Sequence, residues 1–213
     1  MVFSPGSRNA PLVQVFHKVD GFEITVIPDE RSAGFFAMGI AQQTQQPVAV
    51  ICTSGSALVN YAPAVTEALY QQIPLVVISA DRPVELIDQG EGQSIRQEGA
   101  LRPHVLADFS LPRKVTDEKE RRYVQRNIHR VLSASNQKPA GPVHLNVHLD
   151  EPLYDDIPLS DSVPTIHLQG NEQYLSDQEK EAIRTDWESS KNILVLVGMH
   201  PHGKDLSPVL ERM

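Results

Sequence analysis

The chain has 213 residues, 40% of them hydrophobic and 22% charged. That is enough apolar material for the core of one large domain, or of one domain and part of another. Nineteen Lys and Arg against 27 Asp and Glu give a formal charge of -8, which leaves no basic footprint to gather nucleic acid or anionic lipid, so neither is expected as a partner. No segment approaches the roughly 20 apolar residues needed to span a bilayer, and no basic stretch followed by an apolar run opens the chain. The single cysteine, Cys52, lies in the apolar run VAVICT and reads as a buried thiol of a cytoplasmic protein.

In chain order, Met1-Val2-Phe3 runs at once into the turn Ser4-Pro5-Gly6, and a helix starts near Pro11. Strands are expected at Glu23–Ile27, Val48–Thr53, Leu75–Ala80, Arg113–Val115 and Val143–Val147, from runs rich in β-branched residues. Ala33, Phe36, Ala37, Ile40, Ala41 and Thr44 share one helical face, as do Val124, Ile128, Val131, Leu132 and Ser135. A further helix is expected from near Gly55-Ser56-Ala57 towards Tyr70, with its start obscured by Pro63, which fits only in a first turn. Apolar strands alternating with helices imply an α/β fold, three layers deep, around a mostly parallel sheet.

Beyond Val147 the texture changes. Glu151 to Gln169 is rich in Pro, Asp and Ser and reads as a linker. Ser176–Ser189 reads as a polar helix, and Ile193–Gly198 as the first strand of a second α/β domain that the chain does not complete. Both ends look cut. The expected organisation is a domain over 1–155, a linker and polar helix over 156–190, and the start of a further α/β domain over 191–213.

Ligands of parallel α/β sheets gather beyond the carboxyl ends of the strands, so the loops there are the candidate sites. Ser4-Pro5-Gly6-Ser7-Arg8-Asn9 places backbone N–H groups and one guanidinium at a helix N-terminus. Two readings are open: an anion site, or a turn capped by Asn9. Pro28-Asp29-Glu30-Arg31-Ser32 lies between a strand and a helix; acids in a first helical turn are ordinarily capping devices, so Glu30 proves nothing by itself. Thr53-Ser54-Gly55-Ser56-Ala57 is a strand-to-helix turn that meets neither the P-loop nor the dinucleotide spacing. Ala80-Asp81-Arg82-Pro83 leads into the long connection Val84 to Gln97, which holds Gln89, Gln93 and Arg96, and a connection of that length favours binding over a mere spacer.

Histidines give no metal signal. His144 and His148, four apart on a strand, would lie about 13 Å apart at roughly 3.3 Å per residue, too far to share a zinc. His200 and His202 flank Pro201 without a cysteine or carboxylate cluster.

Taken in order, SPGSRN, the strand-following DER, TSGSALVN, ADRP, GQSIRQ and EPLY resemble the N-terminal, pyrimidine-recognising domain of the 2-succinyl-5-enolpyruvyl-6-hydroxy-3-cyclohexene-1-carboxylate synthases, thiamine-diphosphate-dependent transferases of menaquinone biosynthesis. TSGxxxxN followed by ADRP is shared with acetolactate-synthase-like thiamine enzymes, whereas SPGSR and IRQ are more particular to the menaquinone enzyme. The likeness is strong over about residues 2–155.

The resemblance implies that Glu30 hydrogen-bonds N1′ of the cofactor's aminopyrimidine. Proton sharing there lets the ring's own amino group remove the thiazolium C2 proton. The carbon then attacks the keto carbon of 2-oxoglutarate, carbon dioxide leaves, and the succinyl unit adds to isochorismate. The isochorismate carboxylates are matched by Ser7, Arg8, Arg82 and Gln93, each charge-assisted bond contributing roughly 1.5–3 kcal/mol. Thr53, Ser54 and Asn60 match the turn beside the pyrimidine, although Ala57 stands where the broader family's TSGPG has its final glycine. The Mg2+ or Mn2+ that holds the diphosphate belongs to a Gly-Asp-Gly…Asn motif on a C-terminal domain, which these residues lack. Because that domain comes from a partner subunit of a homodimer or dimer of dimers, the fragment is expected to be inactive alone. A first helix before SPGSR is also missing, which would leave an apolar sheet face uncovered.

Two other readings stay open: an acetolactate-synthase-like decarboxylase using pyruvate, and a non-catalytic interaction module in which Glu30 and Arg31 are only helix-start charges.

Overall fold

The computed structural model describes residues 1–159, 175–196, 198 and 206–211. It divides into two compact units, Met1–Leu168 and Gln169–Met213.

The first unit is built on a six-stranded sheet. Its strands are β1 (Val2–Phe3), β2 (Thr25–Val26), β3 (Val48–Cys52), β4 (Leu75–Asp81), β5 (Ala107–Leu111) and β6 (Val143–His148). They lie in the order β2-β1-β3-β4-β6-β5, every neighbouring pair parallel. The helices are α1 (Ala10–Lys18), α2 (Glu30–Thr44), α3 (Ser56–Asn60), α4 (Ala62–Tyr70) and α5 (Glu118–Asn136).

Strand alternation sorts the core into two layers. Val48, Val50, Cys52, Leu75 and Val77 pack with Ala33, Ala37 and Ala41 of α2, Leu58 of α3 and Val65 and Ala68 of α4. Phe3, Ile51, Val76, Ile78, Val143 and Leu145 face the other way, with Leu12, Val13 and Phe16 of α1 and Ile128, Val131 and Leu132 of α5. A sheet covered on both faces needs strands that are apolar throughout, which is why β3 and β4 read as continuous runs. The second face keeps an open apolar groove of about 770 Å3 lined by Leu12, Phe16, Ile78, Ile128, Leu132 and Val147 among others.

Helix starts follow local chemistry. Pro11 and Pro63 occupy the first turns of α1 and α4, where a missing N–H costs nothing. The segment from Gly55 to Tyr70 is therefore two helices, not one, with the break at Tyr61.

Two expectations are corrected. Arg113–Val115 is not a strand; β5 is Ala107–Leu111, earlier in the chain. β5 is an edge strand whose residues are all only partly buried, so its sequence ADFSL needs no β-branched run, whereas Arg113 lies past the strand end and ion-pairs with Glu85 and Asp150. The second correction is that Ile193–Leu196 pair with no strand among the described residues. Beyond them, His200 and His202 lie outside the described residues.

The second unit carries α6 (Asp177–Ser189) and α7 (Ser207–Leu210). Ser176 caps α6 in a capping box with Glu179, and no residue of α6 is buried.

Candidate functional site

Every loop singled out in the sequence follows the carboxyl end of a strand in the first unit, and hydrogen bonds weld three of them together. Ser4, directly after β1, donates its N–H to Ile51 O at 2.8 Å and accepts Asn9 Nδ2 at 2.8 Å through its carbonyl. The buried Tyr61 hydroxyl lies 2.9 Å from Ser4 Oγ and 3.0 Å from Ile51 O. A carbonyl can only accept, so Tyr61 donates to Ile51 and the Ser4 hydroxyl donates to Tyr61.

The loop then lands on the turn after β3. A Cβ added to Gly6 would lie 2.3 Å from Thr53 Cβ, so only glycine allows this approach. Arg8 N donates to Thr53 Oγ1 at 3.3 Å. The Arg8 side chain, 7% exposed, runs inward, where its guanidinium donates to Leu149 O at 3.1 Å and pairs with Glu151 at 3.1 Å. Asn9 precedes α1 but makes no capping bond, and its buried Oδ1 has no partner among the described residues. The capped-turn reading of this loop is therefore not what its side chain does.

At the start of α2 the two acids separate. Asp29 is the N-cap, accepting from Ser32 N at 2.7 Å. Glu30 is partly buried, and its carboxylate makes no hydrogen bond among the described residues. Its charge is felt in the interior. Burial pushes the Cys52 thiol up from its usual range and Glu30 pushes it further. The Tyr61 hydroxyl is raised by burial first, then by Cys52, with a smaller contribution from Glu30. Gly34, one turn further along α2, packs against Tyr61, where an added Cβ would lie 3.3 Å from the ring.

The turn after β3 is buried at Thr53 and Ser54, 5% and 2% exposed. Gly55 has φ +86, and a Cβ there would meet the backbone of Gln93 at 3.0 Å, so the long connection after β4 passes directly over the turn. Gln93 itself is exposed, with φ 52. Asn60 is exposed on α3 and donates to Ser56 O at 3.1 Å.

At the end of β4 the buried Asp81 accepts Arg82 N at 2.8 Å and Asn146 Nδ2 at 2.8 Å. Burial holds its carboxyl above the usual carboxylate range, against the opposing pull of these bonds and of His148 and Arg8. Arg82, its side chain 17% exposed, pairs with Glu91 at 3.5 Å, while its Nε is buried without a partner among the described residues. His148 and His144 are buried strand residues, bonded to Arg82 O and Ser79 Oγ respectively.

The structure thus brings Arg8, Thr53 and Ser54 into one loop cluster, with the Gln93 backbone against it, Arg82 at the adjoining strand end and Glu30 at the start of α2. Ser7 and Asn60 are exposed and join none of its side-chain bonds. Sequence reading missed Tyr61, Gln97, Asn146 and Glu151. For Asn146 a signal existed: an amide inside the strand VHLNVH needs buried partners.

Residues 1–100 match the family described as thiamine pyrophosphate enzyme, N-terminal TPP binding domain. Over those residues the chain is similar to the N-terminal domain of thiamine pyrophosphate enzymes. It is also similar over nearly its whole length to proteins named 2-succinyl-5-enolpyruvyl-6-hydroxy-3-cyclohexene-1-carboxylate synthase: that of Cytophaga hutchinsonii at 44% identity over 97% of this chain, that of Porphyromonas gingivalis at 41% over 99%, and that of Flavobacterium johnsoniae at 46% over 93%. The chain spans 37% of the length of the first two and 35% of the third.

Proposed function

We propose that this chain is the pyrimidine-recognising part of a thiamine-diphosphate-dependent synthase that decarboxylates 2-oxoglutarate and adds the succinyl unit to isochorismate, a step of menaquinone biosynthesis in the cytoplasm. The observation that carries the reading is the division of labour at α2. Asp29 supplies the cap, so Glu30, partly buried at the start of α2, is left with no hydrogen-bond or ion-pair partner among the described residues. A carboxyl group in that position can share a proton with an aminopyrimidine ring nitrogen, because an ionised carboxylate and a bare ring nitrogen are both acceptors and bond only through a proton held between them.

Thiamine diphosphate, when bound, supplies the carbon that can attack a keto acid and hold the electrons left by decarboxylation. Glu30 would hold the proton at the pyrimidine N1′. Thr53 and Ser54 would line the ring. Arg8 and Arg82, with Ser7 and Gln93, would hold the acceptor's carboxylates. Among the described residues Arg82 Nε is a buried donor without a partner, a group that an anion would satisfy if it reached it. Both guanidinia rest on acids in this structure, Arg8 on Glu151 and Arg82 on Glu91, so a substrate carboxylate would have to displace or share them.

The Mg2+ or Mn2+ and the diphosphate would be held by a different domain, contributed by the partner subunit of a homodimer or dimer of dimers, and these residues alone would not turn over. The test is an assay of the complete protein with thiamine diphosphate and Mg2+, measuring isochorismate consumption with 2-oxoglutarate against pyruvate as donor. Turnover with 2-oxoglutarate only is expected. Preference for pyruvate, or no thiamine-dependent turnover, would sink the reading.

A further inference from the structure

Beneath the loop cluster lies a chain of buried amides that the roles above do not use. Gln97 is 0% exposed. Its Oε1 accepts the Gly55 N–H at 2.7 Å, and its Nε2 donates to Ala80 O at 3.1 Å and to Asn146 Oδ1 at 2.9 Å. Both amide hydrogens and the carbonyl are therefore engaged, which leaves the side chain one orientation. Asn146, 1% exposed, passes the connection on: its Nδ2 donates to Asp81 Oδ2 at 2.8 Å.

Asp81 divides the path. Its Oδ1 accepts Arg82 N at 2.8 Å. Its carbonyl accepts Leu149 N at 2.9 Å, and Leu149 O accepts Arg8 Nη1 at 3.1 Å. Hydrogen bonds, continued through the covalent backbone of Asp81 and Leu149, thus join Gly55, in the turn carrying Thr53 and Ser54, to the Arg82 N–H and the Arg8 guanidinium. Gly55 sits at φ +86 before α3, a helix with no side-chain cap, so nothing local fixes its N–H except Gln97.

We propose that Gln97 and Asn146 are positioning residues that set the placement of the turn after β3 relative to Arg8 and Arg82, and so couple the cofactor and acceptor sites. This rests on the roles assigned above to those residues. The physical reason is cooperative. In a low-dielectric interior a fully satisfied polar chain has one arrangement, and loss of one member leaves its neighbours unpaired and free to move. Gln97→Met keeps the length but strands Gly55 N–H and Ala80 O. Gln97→Glu keeps the acceptor for Gly55 and turns an oxygen towards Ala80 O and Asn146 Oδ1. Asn146→Asp breaks the next step.

Ser79 is the internal control. Its hydroxyl bonds Asn146 Oδ1 at 2.7 Å and His144 Nε2 at 2.8 Å, so it belongs to the same buried cluster, but its loss leaves Asn146 both the Gln97 donor and the bond to Asp81. In the complete holoenzyme, Gln97→Met, Gln97→Glu, Asn146→Asp and Ser79→Ala are compared for melting temperature, thiamine diphosphate Kd, and kcat and KM for the acceptor. For the Gln97 and Asn146 variants, Kd and acceptor KM are expected to rise together by about tenfold, with kcat at saturation changed less than threefold. Ser79→Ala is expected to lower the melting temperature with both constants unchanged. Wild-type constants in every folded Gln97 and Asn146 variant would overturn the proposal, as would equal rises in Ser79→Ala. Should the wild type neither bind thiamine diphosphate nor turn over, the functional reading falls first and this inference with it.

Discussion

Asp29 caps helix α2 through Ser32 N at 2.7 Å, and Glu30, the next residue, makes no such bond. The hydrogen bonds to Ser32 hold the Asp29 carboxyl below its usual range. Adjacent acids at one helix start thus carry different loads, and mutation should separate them. Asp29→Ala is expected to lower the denaturation midpoint, as loss of an N-cap does. Glu30→Gln, nearly isosteric and uncapped, should leave the denaturation midpoint unchanged and abolish thiamine-dependent turnover in the complete protein. Activity surviving in Glu30→Gln would remove it from the chemistry.

Buried His144 makes stability depend on pH in a definite direction. Burial lowers its pKa from 6.5 to about 4, with Asp108 pulling weakly the other way. The folded state keeps the ring neutral while the unfolded chain takes up a proton as pH falls below 6.5, so this group favours unfolding progressively between pH 6.5 and 4. The integrated loss is of the order of 3 kcal/mol. Asp81, whose carboxyl is raised by burial, acts oppositely as pH falls towards its unfolded value, so the His144 contribution is read from a difference. Denaturant unfolding of wild type and His144→Gln at pH 7.5 and 5 should show the smaller pH slope in the variant. Equal slopes would contradict the assignment.

Tyr61 offers a test of the floor beneath the site. Its hydroxyl is wholly internal, between Ser4 Oγ and Ile51 O. Tyr61→Phe keeps the ring that packs with α2 and leaves the Ser4 hydroxyl without its acceptor. The expected cost is about 1–3 kcal/mol of stability, measured by chemical denaturation. A neutral result would mean that water enters to replace the hydroxyl.

How much of this was legible in the sequence follows from where each signal resides. β3 and β4 announced themselves because a parallel strand covered on both faces must be apolar along its whole length. β5 did not, because an edge strand that is only partly buried tolerates ADFSL, and Arg113 beyond it owes its place to Glu85 and Asp150. β1 has two residues, too few for any periodicity, and is defined only by its neighbours. In the site, Arg8, Glu30 and Arg82 stand in motifs and could be named. Gln97 and Asn146 could not be paired from the sequence, because their partners are 42 and 65 residues away and their function is to join loops that only the sheet order brings together.

The approach of Gly6 to Thr53 can be tested against a glycine that lacks any such constraint. At Gly6 a methyl group would lie 2.3 Å from Thr53 Cβ and 2.6 Å from its Cγ2, closer than real atoms sit, and Thr53 is held in place by strand β3 and by Arg8 N. The loop must therefore lift off the turn, at a cost of about 1–3 kcal/mol for overpacking, and Arg8 would move with it. At Gly39, inside α2, an added methyl meets nothing within 4 Å, so Gly39→Ala should stabilise the helix by roughly 0.5–1 kcal/mol. The pair is decided by denaturant midpoints together with acceptor KM. Gly6→Ala should lose stability and raise KM because Arg8 rides on the displaced loop, whereas Gly39→Ala should gain stability with KM unchanged. If Gly6→Ala folds with wild-type stability and KM, the contact with Thr53 is not what holds the arginine in place.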